Sequence, residues 1–246
     1  MISQWMSSVY CLCRPINVGE LLHLGLKIEK ALNLSLPVTV AVIGCGGKTS
    51  LIKLLAESYP EQKVLISPTT KMFPPKVQNA DCMGMYNHKT GKLEALPPEK
   101  LAELISNYDI SLLEADGSRG LFCKGWLNNE PVVPEYCTHT IGMATLNALG
   151  KNAMPEHVHN LPQFLTLTGL NEGEIITEKA LRKMVCAPLG MFKNSAGCRI
   201  LIVNQVENES DEKSAENFLR YIKQIHPGMF TKLLYGSVFN NVWFEV

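Results

Sequence analysis

A short apolar stretch that runs directly into a glycine-rich loop is the feature that most limits how this chain can fold. Residues 38–43 are Val-Thr-Val-Ala-Val-Ile, and Gly44, Gly46 and Gly47 follow at once. Leucine and isoleucine then recur at helical spacing over residues 51–55. Because β-branched residues favour strands and apolar residues three or four positions apart share one helix face, the pattern predicts strand, tight loop and helix.

A loop of this kind is typical of phosphate binding. Its backbone N–H groups and the positive end of the helix dipole point towards an anion, and glycine allows the anion to approach closely. We predict that Lys48 neutralises the β- and γ-phosphates of a nucleotide and that the Thr49 hydroxyl ligates Mg²⁺, with Ser50 beside them. The spacing is G-x-x-G-K-T, since the usual longer loop needs a glycine where Val42 stands. This shorter loop resembles that of the Mur ligases.

The overall composition is that of a globular protein without electrostatic bias. The 246 residues are 46% apolar and 19% charged, and 23 basic residues balance 23 acidic ones. This balance argues against nucleic acid or an anionic membrane as the partner. No apolar run approaches the ~18 residues of a membrane span. The first residues also lack the pattern of a secretory signal, so we expect a cytoplasmic protein.

The eight cysteines predict reduced thiols and not a disulfide framework. They include no C-x-x-C pair, and several lie within apolar runs, among them Cys186 and Cys198. Reduced, mostly buried thiols are typical of cytosolic proteins. Cys11-Leu-Cys13 is the one close pair, and a metal role there is the weaker interpretation.

Apolar strands alternate with helical patterns along most of the chain. Strands are predicted over residues 38–43, 64–67, 110–113, 140–144, 199–203, 230–235 and 242–246. Helices are predicted after the glycine loop, from Pro97, over 177–187 with Thr177 as N-cap, and from Ser210, while residues 81–96 resemble a small hairpin. We therefore expect an α/β protein, a three-layer sandwich with a mainly parallel sheet. Residues 1–34 are predicted to be a lead-in segment and residues 35–246 one nucleotide-binding domain.

Polar residues follow several of these strands, where a parallel sheet places its ligands. Glu114 and Asp116 follow an apolar strand, as the acid that holds Mg²⁺ in phosphate-binding loop proteins does, and Gly117 permits a turn beside the γ-phosphate. We predict metal or catalytic duty for both acids, together with Lys48, although the sequence leaves open which acid takes which role. An acidic loop that caps the next segment is the alternative.

Two further clusters follow other strands. Thr69, Thr70 and Lys71 offer hydroxyls and a cation to the phosphates or to a second substrate, or else form a solvated turn. Asn204-Gln-Val-Glu207 lies where guanine-specific proteins carry N-K-x-D, but its glutamine and longer glutamate do not predict guanine selectivity. It is either a loop that contacts the base or a plain connection.

His157 and His159 stand at alternate positions, but only Glu156 accompanies them, so a structural or substrate-contact role is favoured over a metal site. The roles of Lys124 and Glu130 cannot be assigned from their chemistry alone.

Taken together, these motifs resemble the YqeC family, accessory proteins of selenium-dependent molybdenum hydroxylases. The resemblance runs from about residue 35 to the C-terminus and rests on Val42–Thr49, Ser67–Pro74, Leu113–Gly120, Lys124, Glu130–Pro134, Ala148–Lys151, His157–His159, Leu167–Gly169 and Ile202–Gln205. Three positions depart from the family pattern: Gln205 and Glu207 stand where the family often has lysine and aspartate, and Arg119 replaces the usual lysine of the acidic loop. Arginine keeps the charge but changes its geometry, so we still expect Arg119 to bind a phosphate or a carboxylate.

The resemblance implies a P-loop NTPase-like fold and a role in maturing or inserting the selenium-containing molybdenum cofactor. Our first hypothesis is an Mg²⁺-dependent hydrolase or transferase of ATP or GTP, with molybdenum hydroxylases or cofactor-maturation proteins as partners. A second is a carrier that grips the pyrophosphate of a molybdopterin nucleotide without hydrolysing it. A third, from the loop spacing, is an ATP-dependent ligase or kinase acting on a small acid.

Overall fold

A computed structural model describes residues 25–246, and a mostly parallel eight-stranded sheet dominates them. The strands of the chain are β1 (Val38–Gly44), β2 (Val64–Pro68), β3 (Lys71–Met72), β4 (Ala80–Cys82), β5 (Met85–Asn87), β6 (Lys92–Glu94), β7 (Ile110–Glu114), β8 (Cys123–Lys124), β9 (His139–Thr145), β10 (Val158–His159), β11 (Cys198–Asn204), β12 (Lys232–Ser237) and β13 (Val242–Glu245). The large sheet has the order β13-β12-β11-β9-β1-β7-β2-β4, in which β13 alone runs antiparallel to its neighbour. The predicted α/β class is confirmed.

Two small sheets lie outside the large one. Strands β3, β6 and β5 form an antiparallel unit after β2, and β8 pairs in parallel with β10 after β7. Both units therefore follow strands whose carboxyl ends face the same edge of the large sheet. They build walls above that edge.

Helices cover both faces of the large sheet. They are α1 (Ile28–Leu32), α2 (Lys48–Glu57), α3 (Pro98–Ile105), α4 (Leu161–Thr168), α5 (Glu178–Cys186) and α6 (Glu209–Ile225). Strand β1 shows the division, because Val40 and Val42 pack with α1 and α2 whereas Ala41 and Ile43 pack with the core that α3–α6 cover. This alternation is what a strand buried on both faces requires. Over residues 25–246, no helix is long and apolar enough to cross a membrane.

The predicted strands are all present, and the differences concern edges and connections. Asp81 and Cys82 belong to the edge strand β4 and not to the predicted hairpin, which β5 and β6 form alone. Helix α6 begins at Glu209, one residue before the predicted start, because the Asn208 side chain accepts from the Asp211 amide. The predicted N-cap of α5 is confirmed, since the Thr177 hydroxyl accepts from the Ala180 amide. Of the predicted lead-in segment, residues 1–24 lie outside the described part of the chain.

Candidate functional site

A cavity of about 850 Å³ opens above the carboxyl ends of β1, β2 and β7. Many of the residues predicted from the sequence line it: Gly46, Gly47, Lys48, Thr49, Ser50, Thr70, Lys71, Glu114 and Arg119. Segments far apart in the sequence thus meet at one place, as expected for a parallel sheet. Its volume lies near the upper end of the ~300–1,000 Å³ typical of ligand pockets.

The loop between β1 and α2 needs its glycines. Gly47 has a φ of 115°, and a Cβ there would lie 2.7 Å from Nδ2 of Asn204. Gly46 has a φ of 87° and packs against Thr145. These backbone angles are costly for any residue with a side chain, so this loop shape and this sequence go together.

Lys48 begins α2, and its ammonium group is tied beneath the loop. Nζ donates to the carbonyl of Gly44 at 2.7 Å and to Oγ of Ser118 at 3.1 Å, and lies 3.2 Å from Oδ1 of Asp116. Burial lowers the pKa of Lys48, but the charges of Asp116 and Glu114 outweigh it and leave the pKa raised. Lys48 is therefore a permanent cation at the floor of the cavity.

Asp116 is fully buried and has four donors around its carboxylate. The Gly44 amide donates to it at 3.0 Å and the indole Nε1 of Trp126 at 2.8 Å, while Nζ of Lys48 and of Lys124 lie at 3.2 and 3.6 Å. We call these five residues the Asp116 network. Asp116 does not line the cavity, and its oxygens are already engaged, so the structure places it as a support for the loop.

Glu114 ends β7 and does line the cavity. Its Oε2 accepts from the Thr49 hydroxyl at 2.7 Å. Burial raises the pKa of Glu114, partly opposed by the Lys48 charge and the Thr49 hydrogen bond. One hydroxyl and one carboxylate side by side at a phosphate-binding loop are the protein ligands that Mg²⁺ takes when phosphates and waters supply the rest. Within residues 25–246, no group of three or more His, Cys, Asp or Glu residues that could hold a metal occurs.

Lys124, on β8, is fully buried and holds the turn after β7. Its Nζ donates to the Gly117 carbonyl at 2.6 Å and lies 3.1 Å from Oε2 of Glu130. Glu130 lines the cavity and also accepts from the Asn160 side chain. A buried lysine is stable only with such partners, so Lys124 joins the 117–120 turn to the Asp116 network.

The predicted Thr69–Lys71 cluster divides by position, because only Thr70 and Lys71 line the cavity. The Thr69 hydroxyl donates to the Val132 carbonyl and so fixes the chain, and it does not line the cavity. The Thr70 hydroxyl oxygen is buried and has no hydrogen-bond partner among the described residues. Thr70 and Lys71 both line the cavity, and Lys71 pairs with Glu94 at 2.9 Å.

Asn204, the last residue of β11, ties the glycine loop to the segment that follows β12. Its Nδ2 donates to the Gly46 carbonyl at 2.7 Å and its Oδ1 accepts from the Val238 amide at 2.9 Å. It lines a second cavity of about 450 Å³ on the β11 and β12 side of the loop. This cavity shares Gly47, Ser50 and Gln205 with the first.

Of the histidines and cysteines discussed from the sequence, His159 alone lines the large cavity. His159 lines the large cavity, whereas His157 does not and meets the Asn152 carbonyl at 3.1 Å. Cys45 is buried under the loop, where burial raises its pKa to about 12 and keeps it a neutral thiol. Cys198 is exposed, which corrects the expectation from its apolar run, because it stands at the very start of β11. Cys11 and Cys13 lie outside the described residues.

Several residues of the site were not among the residues predicted from the sequence. Ser118 and Trp126 complete the surroundings of Lys48 and Asp116, and Phe73, Lys92 and Phe122 line the far part of the cavity. A lysine two positions before a tryptophan in an otherwise apolar stretch, Phe122-Cys-Lys-Gly-Trp126, is a pattern that points to a buried charge.

The fold and the cavity define an α/β protein whose site lies beyond the carboxyl ends of a parallel sheet. A family model described as "YqeC protein" matches residues 40–89 and 82–162. The chain is 30% identical over 214 residues to the uncharacterized protein YqeC of Escherichia coli (strain K12). The aligned region covers 76% of this chain and 84% of that relative. The chain therefore belongs to the YqeC family, as its motifs predict. No solved structure matches it.

Proposed function

We propose that this protein binds a nucleoside triphosphate with Mg²⁺ in a P-loop NTPase-like fold and acts on the γ-phosphoryl group. The observation that carries the proposal is the 2.7 Å hydrogen bond between Thr49 and Glu114 at the start of α2, beside the buried ammonium of Lys48. A hydroxyl, a carboxylate and a lysine in this arrangement match the requirements of a metal-bound triphosphate.

In this proposal the two acids have different roles. Thr49 and Glu114 hold Mg²⁺, which when bound neutralises charge on the phosphate oxygens. Asp116 instead positions Lys48 and the Gly44 amide. The three ammonium hydrogens of Lys48 have Gly44, Ser118 and Asp116 as partners. A phosphate oxygen therefore binds Lys48 by replacing one of them, and the neutral Ser118 hydroxyl is the weakest competitor.

The second cavity is the proposed place of the nucleoside. It adjoins the loop at Gly47 and Ser50, and Phe239 presents an almost wholly exposed ring there. An exposed ring beside a phosphate-binding loop offers a stacking surface that any base accepts. Both ends of the Asn204 amide already have protein partners, the Gly46 carbonyl and the Val238 amide, so in this proposal Asn204 supports the loop and does not read the base.

The reaction proposed is hydrolysis or transfer. In hydrolysis a water oxygen bonds to the γ-phosphorus, the bond from that phosphorus to the bridging oxygen breaks, and phosphate and the nucleoside diphosphate leave. The role in maturing selenium-dependent molybdenum hydroxylases is proposed from the family resemblance. Binding without phosphate release would instead favour the carrier hypothesis.

The test compares Lys48→Ala with Lys100→Ala, a control on α3. Lys100 is exposed and lines neither of the two cavities. We expect the native protein to bind ATP or GTP with Mg²⁺, K48A to bind about 10–100-fold more weakly through loss of a charge-assisted hydrogen bond, and K100A to bind normally. Thermal unfolding checks that K48A is folded. Unchanged nucleotide affinity in a folded K48A contradicts the proposal.

A further inference from the structure

The large cavity extends well beyond the glycine loop, on the side away from the second cavity. Its outer walls are the 70–73 segment after β2, Lys92 on β6 and the 117–122 turn after β7. The second cavity is bounded by the loops after β11 and β12. Since β7 and β2 lie on one side of β1 and β9, β11 and β12 on the other, the two cavities flank the loop from opposite sides.

This placement leaves space that one nucleotide does not fill. With phosphates on the loop and the nucleoside in the second cavity, the part of the large cavity on the β7 and β2 side lies past the end of the triphosphate. We call this part the outer cavity and define it by Phe73, Lys92, Arg119, Phe122 and His159.

The outer cavity is rich in cations that have no acid as partner. Four basic side chains line the whole cavity, Lys48, Lys71, Lys92 and Arg119, against two acids, Glu114 and Glu130. Glu130 is matched by Lys124. Within residues 25–246, neither Lys92 nor Arg119 forms an ion pair with an acidic side chain. Unmatched cations in a cavity attract an anion.

Aromatic rings accompany these cations. Phe73 is 61% exposed, and the ammonium of Lys92 lies 4.7 Å from the centre of its ring. Phe122 lines the same cavity and has Lys151 at 4.9 Å from its ring centre. Large exposed apolar side chains in a concave polar site are typical of ligand recognition. Rings and unmatched cations together fit a ligand with both a flat ring and a negative group.

We infer that the outer cavity binds a second substrate, an anionic molecule that carries an aromatic or other flat ring, at the same time as the nucleotide. The inference deepens the proposed function, since it places a co-substrate beside the γ-phosphate. Lys92 and Arg119 hold the anion, and Phe73 packs on the ring. The chemistry that recognises the ligand is that of an aryl phosphate or aryl carboxylate.

The probe is 1-naphthyl phosphate, and its binding is measured by calorimetry with and without Mg²⁺ and a non-hydrolysable analogue of ATP or GTP. We expect binding in both conditions. The Lys92→Ala/Arg119→Ala double variant should bind the probe about tenfold more weakly or worse, because two charge-assisted contacts are lost. Lys89→Ala/Arg220→Ala removes the same charges from exposed positions outside the cavity and should leave binding unchanged.

Variants of two phenylalanines, one in each cavity, test which cavity binds the probe. Phe73→Ala should weaken naphthyl phosphate about fivefold or more, as expected for the loss of one stacking ring, and leave inorganic phosphate binding unchanged. Phe239→Ala should leave the binding of both naphthyl phosphate and inorganic phosphate unchanged. Both side chains are exposed, at 61% and 90%, so neither variant is expected to unfold.

Failure of this inference is distinct from failure of the proposed function. If K48A loses nucleotide but keeps naphthyl phosphate, the outer cavity is an independent site. If no nucleotide binds even the native protein, loss of the probe in the Lys92/Arg119 double variant still supports the site. Displacement of the probe by the nucleotide analogue, or full probe affinity in the double variant, overturns it.

Discussion

Charged groups hold the glycine loop on its β7 side, whereas a neutral amide holds it on its β11 side. On the β7 side, the Asp116 network holds Gly44 and Lys48 with a buried carboxylate, two buried ammonium groups and an indole. On the β11 side, one neutral amide, that of Asn204, holds the Gly46 carbonyl beside an open cavity. Buried charges are costly to leave unpaired, whereas groups at a cavity wall can turn to water. The β7 side therefore fixes the shape of the site, and the β11 side can adapt to a ligand.

The largest effect is expected from Asp116→Ala, which leaves Lys48 and Lys124 buried without their common partner. We expect a loss of about 3–5 kcal/mol in the free energy of unfolding, measured in urea. The control is Asp109→Ala, since Asp109 is exposed just before β7 and accepts one hydrogen bond from the Lys63 amide. A D116A variant no less stable than D109A would remove the contrast between the two sides.

Trp126→Phe sharpens the comparison with a smaller change. It deletes a hydrogen bond to a buried carboxylate, for which we expect a loss of about 1.5–3 kcal/mol. Trp243→Phe is the matched control, because Trp243 is equally buried but donates to the neutral Asn241 amide at 3.1 Å. Equal losses in the two variants would mean that the charge on Asp116 adds nothing to the indole contact.

The next prediction concerns pH and depends on Glu114, which is not part of the Asp116 network. Because burial raises the pKa of Glu114, protons compete with Mg²⁺ at a higher pH than for an ordinary glutamate. Magnesium-dependent nucleotide affinity should be full above that raised pKa and fall by up to about tenfold per pH unit as the pH is lowered through it. In Glu114→Gln both the magnesium dependence and this pH dependence should disappear, whereas Glu103→Gln, exposed on α3 and outside both cavities, should keep both. Isothermal titration at several pH values provides the measurement.

The smallest effect is expected from Asn204→Ala on the β11 side. Two neutral hydrogen bonds are lost, but their partners lie beside a cavity that water can enter, so we expect about 1 kcal/mol. Chemical unfolding compares it directly with D116A. A loss as large as that of D116A would show that both sides of the loop are equally rigid.

Much of the fold follows from local pattern, because strands buried on both faces are uninterrupted apolar runs and their order with helices limits the topology. Within the small sheet, β5 and β6 form the predicted hairpin, but the addition of β3 could not be predicted, since β3 pairs with β6 some twenty residues later along the chain. Its pairing depends on contacts that no local pattern contains.

The sequence predicted part of the membership of the site but not the surroundings of each acid. Lys48, Thr49 and Glu114 meet as expected from a loop and an acid at neighbouring strand ends. Asp116 stands two positions after Glu114, so strand alternation alone would place both acids on one face. The strand ends at Glu114, however, and the chain turns so that Asp116 lies beneath the loop. Burial of Lys124 likewise depends on Asp116 and Glu130, which only the folded chain brings to it.

The indole of Trp126 has a practical consequence. It is bonded to the same carboxylate that holds Lys48 and the Gly44 amide, so any rearrangement of the loop changes the electrostatic field at the ring. Tryptophan emission responds to such a field. Trp126 is thus expected to report on any ligand that rearranges the loop, and comparison with Trp126→Phe separates its emission from that of the two other tryptophans.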